Sequence, residues 1–360
     1  MKCYTKYLVG VLLLGVVASC KDISVETPAY DPTPYQMEIG DFPTPSLPSD
    51  NIPTVAGVQL GRRLFYERMM SKDGSQSCAD CHIQEDGFSD PRTFSIGVEG
   101  LEGKRQAMAV FNLAWHPNGM FWDGRAVSIR DQALRPIQDP LEMNETLDNV
   151  IMKLESSREY RNEFVRTFGD DAITSDRIAL ALEQFMLTMV SYDSKYDKFL
   201  RGEASLTDSE ERGRQLFFTE FDPFGSTDGA ECFHCHGGFN FTNDEYMNNG
   251  LDTDADMQDE GRGAVTMNSF DRGKFKVPSL RNIAVTAPYM HDGRFTTLEE
   301  VVDHYNTGVK NSSTVDILMQ FNLQPGGLQL SDQDKSDLVA FLKTLTDESY
   351  LADRRYSDPN

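Results

Sequence analysis

The 360-residue chain is poor in cysteine, in basic charge and in long apolar runs. Six cysteines are too few to staple a chain of this length into a disulfide scaffold. Against 57 Asp and Glu there are only 34 Lys and Arg, a net charge of -23. That balance argues against nonspecific nucleic-acid binding, which needs surplus cations. No apolar run reaches the roughly 20 residues of a membrane-spanning helix. What is present, 39% hydrophobic and 25% charged residues, suits a soluble, core-forming chain. At about 150 residues per domain, the length suits two domains.

The N-terminus reads as an address. Lys2 and Lys6 precede the apolar run from Leu8 to Ala18, too short to span a bilayer but right for a secretory signal. It ends in Val17-Ala18-Ser19-Cys20, which is similar to a bacterial lipobox. That resemblance implies a lipoprotein signal over residues 1–20, removal of Cys3 with it, and lipidation of Cys20. The chain is then exported and held to a membrane by lipid alone, facing the periplasm or the cell surface. Residues 21–54 carry nearly half of the 16 prolines and predict an extended tether, part of which could lie against the folded body.

The four other cysteines form two matching pairs. Cys78-Ala79-Asp80-Cys81-His82 and Cys232-Phe233-His234-Cys235-His236 both read C-x-x-C-H, the attachment signature of c-type haem. The spacing serves the chemistry: two thiols bond the two vinyl groups, and the adjacent His82 or His236 becomes the proximal iron ligand. A redox dithiol does not need that following histidine. A zinc site would place its pairs roughly 15–20 residues apart, far closer than these. The cofactors expected are two covalently bound haem c groups.

Around the motifs the chain repeats itself. Gly61-Arg62-Arg63-Leu64-Phe65 precedes the first and Gly213-Arg214-Gln215-Leu216-Phe217 the second. Downstream, Asn112 and Phe121-Trp122-Asp123-Gly124-Arg125 match Asn282 and Met290-His291-Asp292-Gly293-Arg294. Self-similarity of this kind indicates duplication. Leu141 to Phe168, Asp176 to Leu200 and Ser331 to Thr346 have helical apolar spacing, and Thr207 with Glu210 and Ser331 with Asp334 are capping-box pairs. The fold class expected is mostly α, with two cytochrome c-like domains over residues 55–204 and 205–346 and a tail over 347–360.

The halves differ where a sixth iron ligand would stand. Trp122 and His291 are equivalent, and Pro136 lies as far beyond the first as Tyr305 beyond the second. Proline cannot ligate iron, whereas a tyrosine phenolate can. The first haem is then open, able to bind peroxide, and the second capped. His304 competes with Tyr305, since neighbours on a helix point about 100° apart and only one faces the iron.

These motifs, together with Pro140-Leu141-Glu142-Met143, Val277-Pro278-Ser279-Leu280-Arg281-Asn282 and Ala287-Pro288-Tyr289-Met290-His291, resemble those of the bacterial di-haem cytochrome c peroxidases and their MauG-type branch over about residues 55–345. The resemblance implies that Trp122 relays electrons between the haems, and that Gln132 and Glu142 form the distal pocket. Glu142 would move a proton between the peroxide oxygens. On sequence alone Glu142 could equally be a helix-start carboxylate. The resemblance favours Tyr305 over His304, and tyrosine in place of the usual methionine points to the MauG-type branch. It also implies a calcium ion at the carbonyls of Thr286 and Pro288, with Gln106 where the family has asparagine. His116 is not where the family keeps a gating histidine and reads as an ordinary surface or core residue. The acidic run Asp252, Asp254, Asp256, Asp259 and Glu260 lacks the EF-hand pattern and reads as a solvated loop.

The activity expected is reduction of hydrogen peroxide to water with electrons from an external donor, a small cytochrome c or a cupredoxin. The alternatives are peroxide-dependent oxidation of a protein substrate, and a non-enzymatic electron carrier. A basic donor would suit the acidic charge. A homodimer is left open.

Overall fold

The computed structural model describes residues 28–222 and 229–359. Cys3, Cys20 and the signal segment lie outside the described residues. The helices are α1 (Val55–Phe65), α2 (Ile129–Gln138), α3 (Leu147–Ser156), α4 (Arg158–Phe168), α5 (Ser175–Leu187), α6 (Lys195–Leu200), α7 (Asp208–Phe217), α8 (Arg262–Thr266), α9 (Leu298–Asp303), α10 (Asp332–Lys343) and α11 (Glu348–Leu351). A minimal antiparallel pair, β1 (Tyr246–Met247) and β2 (Phe275–Lys276), sets Tyr246 opposite Lys276. The chain is mostly helical. Among the described residues no helix is long and apolar enough to cross a membrane.

The helices start where their caps dictate. Thr207 and Ser331 close capping boxes with Glu210 and Asp334 at the N-termini of α7 and α10, as expected. The helical stretch from Leu141 to Phe168 is broken, because Asn144 turns left-handed (φ 46°) and Ser157 ends α3 while capping α4.

The buried apolar side chains form two clusters. One gathers Leu60, Leu64 and Phe65 of α1 with Ala181, Leu182 and Phe185 of α5. The other gathers Leu216 and Phe217 of α7 with Leu338, Phe341 and Leu342 of α10. The two helix crossings are copies. A Cβ on Gly61 would stand 1.9 Å from the Ala181 carbonyl oxygen, and one on Gly213 would stand 1.9 Å from that of Asp337. Glycine is what lets each pair of backbones touch.

The duplication is also written in backbone angles. Three pairs of non-glycine residues at matched positions take the left-handed conformation: Phe88 (φ 58°) with Phe241 (51°), Asn112 (55°) with Asn282 (57°), and Phe121 (66°) with Met290 (73°). Asparagine tolerates it; phenylalanine and methionine do so at a cost of about 1–3 kcal/mol each.

Three segments depart from a simple two-block division. The described part of the proline-rich arm, from residue 28 on, is extended and lies on the body. Asp31 N–H donates to the Arg166 carbonyl, and buried Asn51 bonds Glu183 and Gln184. Phe42 packs on Trp115 and Phe239, with the Arg281 guanidinium 4.6 Å from its ring centre. The core changes between Met189 and Tyr196, ahead of the expected 204/205 boundary, because Tyr196 of α6 stacks in the second cluster. Finally, Tyr350 and Tyr356 of the tail return to the first cluster, donating to the carbonyls of Val110 and Thr188 at 2.8 Å each.

Candidate haem centres and the bridge between them

Both C-x-x-C-H motifs open as a single turn of 3₁₀ helix, Cys78–Asp80 and Cys232–His234, and line one continuous cavity of about 1080 Å³. That exceeds the roughly 300–1,000 Å³ of a single small-molecule site. None of the four cysteines is in a disulfide.

The two following histidines are oriented alike. His82 Nδ1 donates to the Phe88 carbonyl at 2.9 Å, and His236 Nδ1 to the Phe241 carbonyl at 3.2 Å. A carbonyl only accepts, so Nδ1 carries the proton and Nε2 keeps its lone pair, the tautomer a metal requires. Burial disfavours the charged form of both rings, pushing His236 down to about 4 and His82 down as well, against the opposing pull of those carbonyls. Paired thiols, a bare imidazole nitrogen and an apolar cavity together fit a covalently held haem in each half.

In the first half, Gln132 and Pro136 of α2 stand one turn apart and both line the cavity. Glu142 lines it too. It sits in the turn after α2 rather than at a helix start, since α3 begins only at Leu147. Its N–H donates to the Asp139 carbonyl at 3.0 Å, and its own carbonyl accepts from Val98 N–H at 2.8 Å. A side chain on Gly97 would collide with the Glu142 carbonyl oxygen. Burial, aided by Asp139 and opposed by Arg125, pushes the Glu142 carboxyl up to about 7.

In the second half, α9 runs into a π-helical turn, His304–Gly308, a local winding often found at functional sites. It separates two neighbours. Tyr305 lines the cavity and its hydroxyl accepts from Asn249 Nδ2 at 3.0 Å. His304 is buried and its Nε2 is tied to the Asn249 carbonyl at 3.1 Å. Burial pushes the Tyr305 phenol up to about 12, with Asn249 opposing. Pro136 and Tyr305, equivalent in the repeat, thus line the same cavity from opposite halves.

Between the halves, Trp122 Nε1–H donates to the Gln106 carbonyl at 2.8 Å, and Gln106 N–H donates to the His291 carbonyl at 2.8 Å. Trp122 and its counterpart His291 are therefore joined through the backbone of a single residue, Gln106. The Gln106 side chain is buried, with Nε2 donating to Ser89 Oγ at 2.9 Å and the Asp90 carbonyl at 3.2 Å. Gln106, Thr286 and Pro288 all border the cavity.

His116 is engaged by the second half at both ring nitrogens, Nδ1 with Asp244 (2.7 Å) and Nε2 with Asn240 (3.1 Å). Within the acidic run, Asp252 pairs with Arg294, Asp259 with Arg105 and Glu260 with Arg272. Sequence reasoning missed Arg105, Asp244 and Lys276, because each works with partners too distant in the chain to leave a local pattern.

Fold and site define a mostly helical protein with paired haem-c attachment motifs around a shared cavity. Residues 55–205 match the family model described as di-haem cytochrome c peroxidase. The chain is 33% identical over 302 residues to the methylamine utilization protein MauG of Methylophilus methylotrophus, covering 83% of this chain and 84% of that one. It is 36% identical over 291 residues to the cytochrome c551 peroxidase of Nitrosomonas europaea, covering 80% and 79%. A crystal structure of a MauG-like protein associated with microbial copper homeostasis superposes with a TM-score of 0.81 at 36% identity, over 90% of this chain and 99% of that one. The chain belongs to the di-haem cytochrome c peroxidase family.

Proposed function

We propose that this protein is a di-haem peroxidase that reduces hydrogen peroxide to water, with each half of the chain a cytochrome c-like unit holding one haem c. The family assignment supports the reaction class, and the contrast between Pro136 and Tyr305 carries the division of labour. Cys78, Cys81 and His82 would hold one haem, and Cys232, Cys235 and His236 the other. When bound, these groups supply the iron redox chemistry of peroxide reduction.

The chain's own residues set the conditions. Glu142, held near neutrality by burial, is able both to take a proton from peroxide and to return it to the departing oxygen. Gln132, one turn from Pro136, offers an amide to orient the substrate. Trp122, fixed between the halves, relays electrons. Tyr305 closes the second site once its phenolic proton leaves. An anionic oxygen there favours oxidised states, which suits sharing oxidising equivalents more than storing an electron. That chemistry, with Tyr305 lining the cavity, supports a second reading, peroxide-dependent oxidation of a protein substrate in place of an external donor such as a small cytochrome c or cupredoxin.

We further assign a calcium ion to the Gln106 amide oxygen and the Thr286 and Pro288 carbonyls, a hard-oxygen donor set. Lipidation at Cys20 and export complete the reading.

Low-temperature EPR of the fully oxidised, haem-loaded protein tests the division of labour. One high-spin and one low-spin ferric signal are expected. Two low-spin signals would mean that the first site is closed at rest and would remove the reading's main support.

A further inference from the structure

Arg105 makes no contact that its sequence neighbours explain. Its Nη1 bonds Asp123 at 2.6 Å, while Nε and Nη2 bond Asp259 at 2.7 and 2.8 Å. Its guanidinium also lies 5.5 Å from the centre of the Phe275 ring. Asp123 directly follows Trp122. Phe275 stacks face to face on His291, with ring centres 3.7 Å apart and planes 10° apart. The next residue in β2, Lys276, donates its N–H to the Trp122 carbonyl at 2.7 Å. The next residue after Arg105, Gln106, accepts the Trp122 indole proton.

We propose that Arg105 is the positioning residue of the electron relay: it clamps Asp123, Asp259 and Phe275 into one unit that fixes the Trp122 indole against the second half. The proposal rests on the reading of Trp122 as the relay.

The geometry carries it in three ways. First, a planar guanidinium serving two carboxylates has a fixed direction, which an ammonium cannot reproduce. Second, the side chains are withdrawn from water, with Asp123 only 6% and Arg105 18% exposed, so the pairing is weakly screened. Third, two of its partners belong to the relay itself: Asp123 follows Trp122 in the chain and Phe275 stacks on His291, while Asp259 anchors the guanidinium from the second half. A loosened Arg105 releases residues 105–106 together, and with them the acceptor of the indole proton. Relay through a side chain depends on its placement, and a displacement of about 1 Å at a reacting group is enough for a 100-fold loss.

The test uses the haem-loaded protein in a Trp115→Phe background, which leaves Trp122 as the sole tryptophan. Ultraviolet resonance Raman then reads the indole N–H hydrogen bond, and pulse reduction reads transfer between the haems. Arg105→Gln is expected to weaken the indole bond and slow transfer by on the order of 10-fold or more. Arg105→Lys is expected to restore only part of both. Asp259→Asn, a milder change at the exposed end of the clamp, is expected to move both readouts the same way, and it decides the matter if Arg105→Gln does not fold. If Trp122→Phe slows transfer while the Arg105 or Asp259 variants change neither readout, the clamp is merely structural and the proposal falls. If Trp122→Phe itself leaves transfer unchanged, the relay reading fails, and this proposal with it.

Discussion

Phe88 and Phe241 hold the same left-handed backbone in opposite halves, and each presents its carbonyl to the histidine of its own haem motif. Histidine orientation is bought with backbone strain at a bulky residue, twice. This gives a signed prediction. Phe241→Ala loses the ring and keeps a Cβ at positive φ, whereas Phe241→Gly loses the ring and the strain together. Both destabilise, by about 3–5 kcal/mol for the lost ring, but the glycine variant should be the more stable by about 1 kcal/mol. Denaturant unfolding of the two haem-loaded variants checks the order.

Glu142 should govern the acid limb of the reaction. The working form is the carboxylate that takes the peroxide proton. A group pushed up to about 7 loses that form as pH falls through 7. Peroxidase kcat/KM should therefore rise from pH 5 to 8 and level off. Glu142→Gln should lower it by about 10²–10⁴-fold and abolish the limb. A variant profile that still bends near 7 would assign the limb to another group.

Tyr305 should set the properties of the second haem. Tyr305→Phe removes the oxygen and is expected to add a second high-spin ferric EPR signal. Tyr305→Met should raise that haem's midpoint potential by on the order of 100 mV or more, within the roughly 0.8 V that axial ligands command. Unchanged spectra and potential in both variants would transfer the ligand role elsewhere.

The helix crossings should be intolerant of a single methyl group. Gly213→Ala forces α7 away from the Asp337 carbonyl, and Gly61→Ala forces α1 away from that of Ala181. Each should cost about 1–3 kcal/mol through overpacking. Thermal melts of the haem-loaded protein read this directly, and a melting point matching the parent's would mean that the helices slide without penalty.

What the sequence showed of all this follows from the range of each constraint. Cys78 to His82 and Cys232 to His236 were legible because covalent attachment demands a contiguous spacing. The glycines of α1 and α7 and the Pro136–Tyr305 contrast were legible because duplication supplies an internal reference. The choice between His304 and Tyr305 needed the family, since the π-helical turn that parts them has no pattern of its own. The passage from the first cluster to the second was not legible because α6 reads as a continuation of α5, although the rings of Tyr196 and Phe199 pack in the second cluster. The Arg105 clamp was invisible: it joins Asp123 and Asp259 across a gap no local motif spans.

The return of Tyr350 and Tyr356 to the first core has a consequence for assembly order. These residues emerge after both haem motifs, yet they complete the hydrophobic cluster begun by α1. The first half cannot finish packing while the chain is still being made. It therefore stays open until the second half and the tail have followed it. A chain stopped short of residue 350 would present an unsealed first core, so the last residues to be made decide when the first half closes.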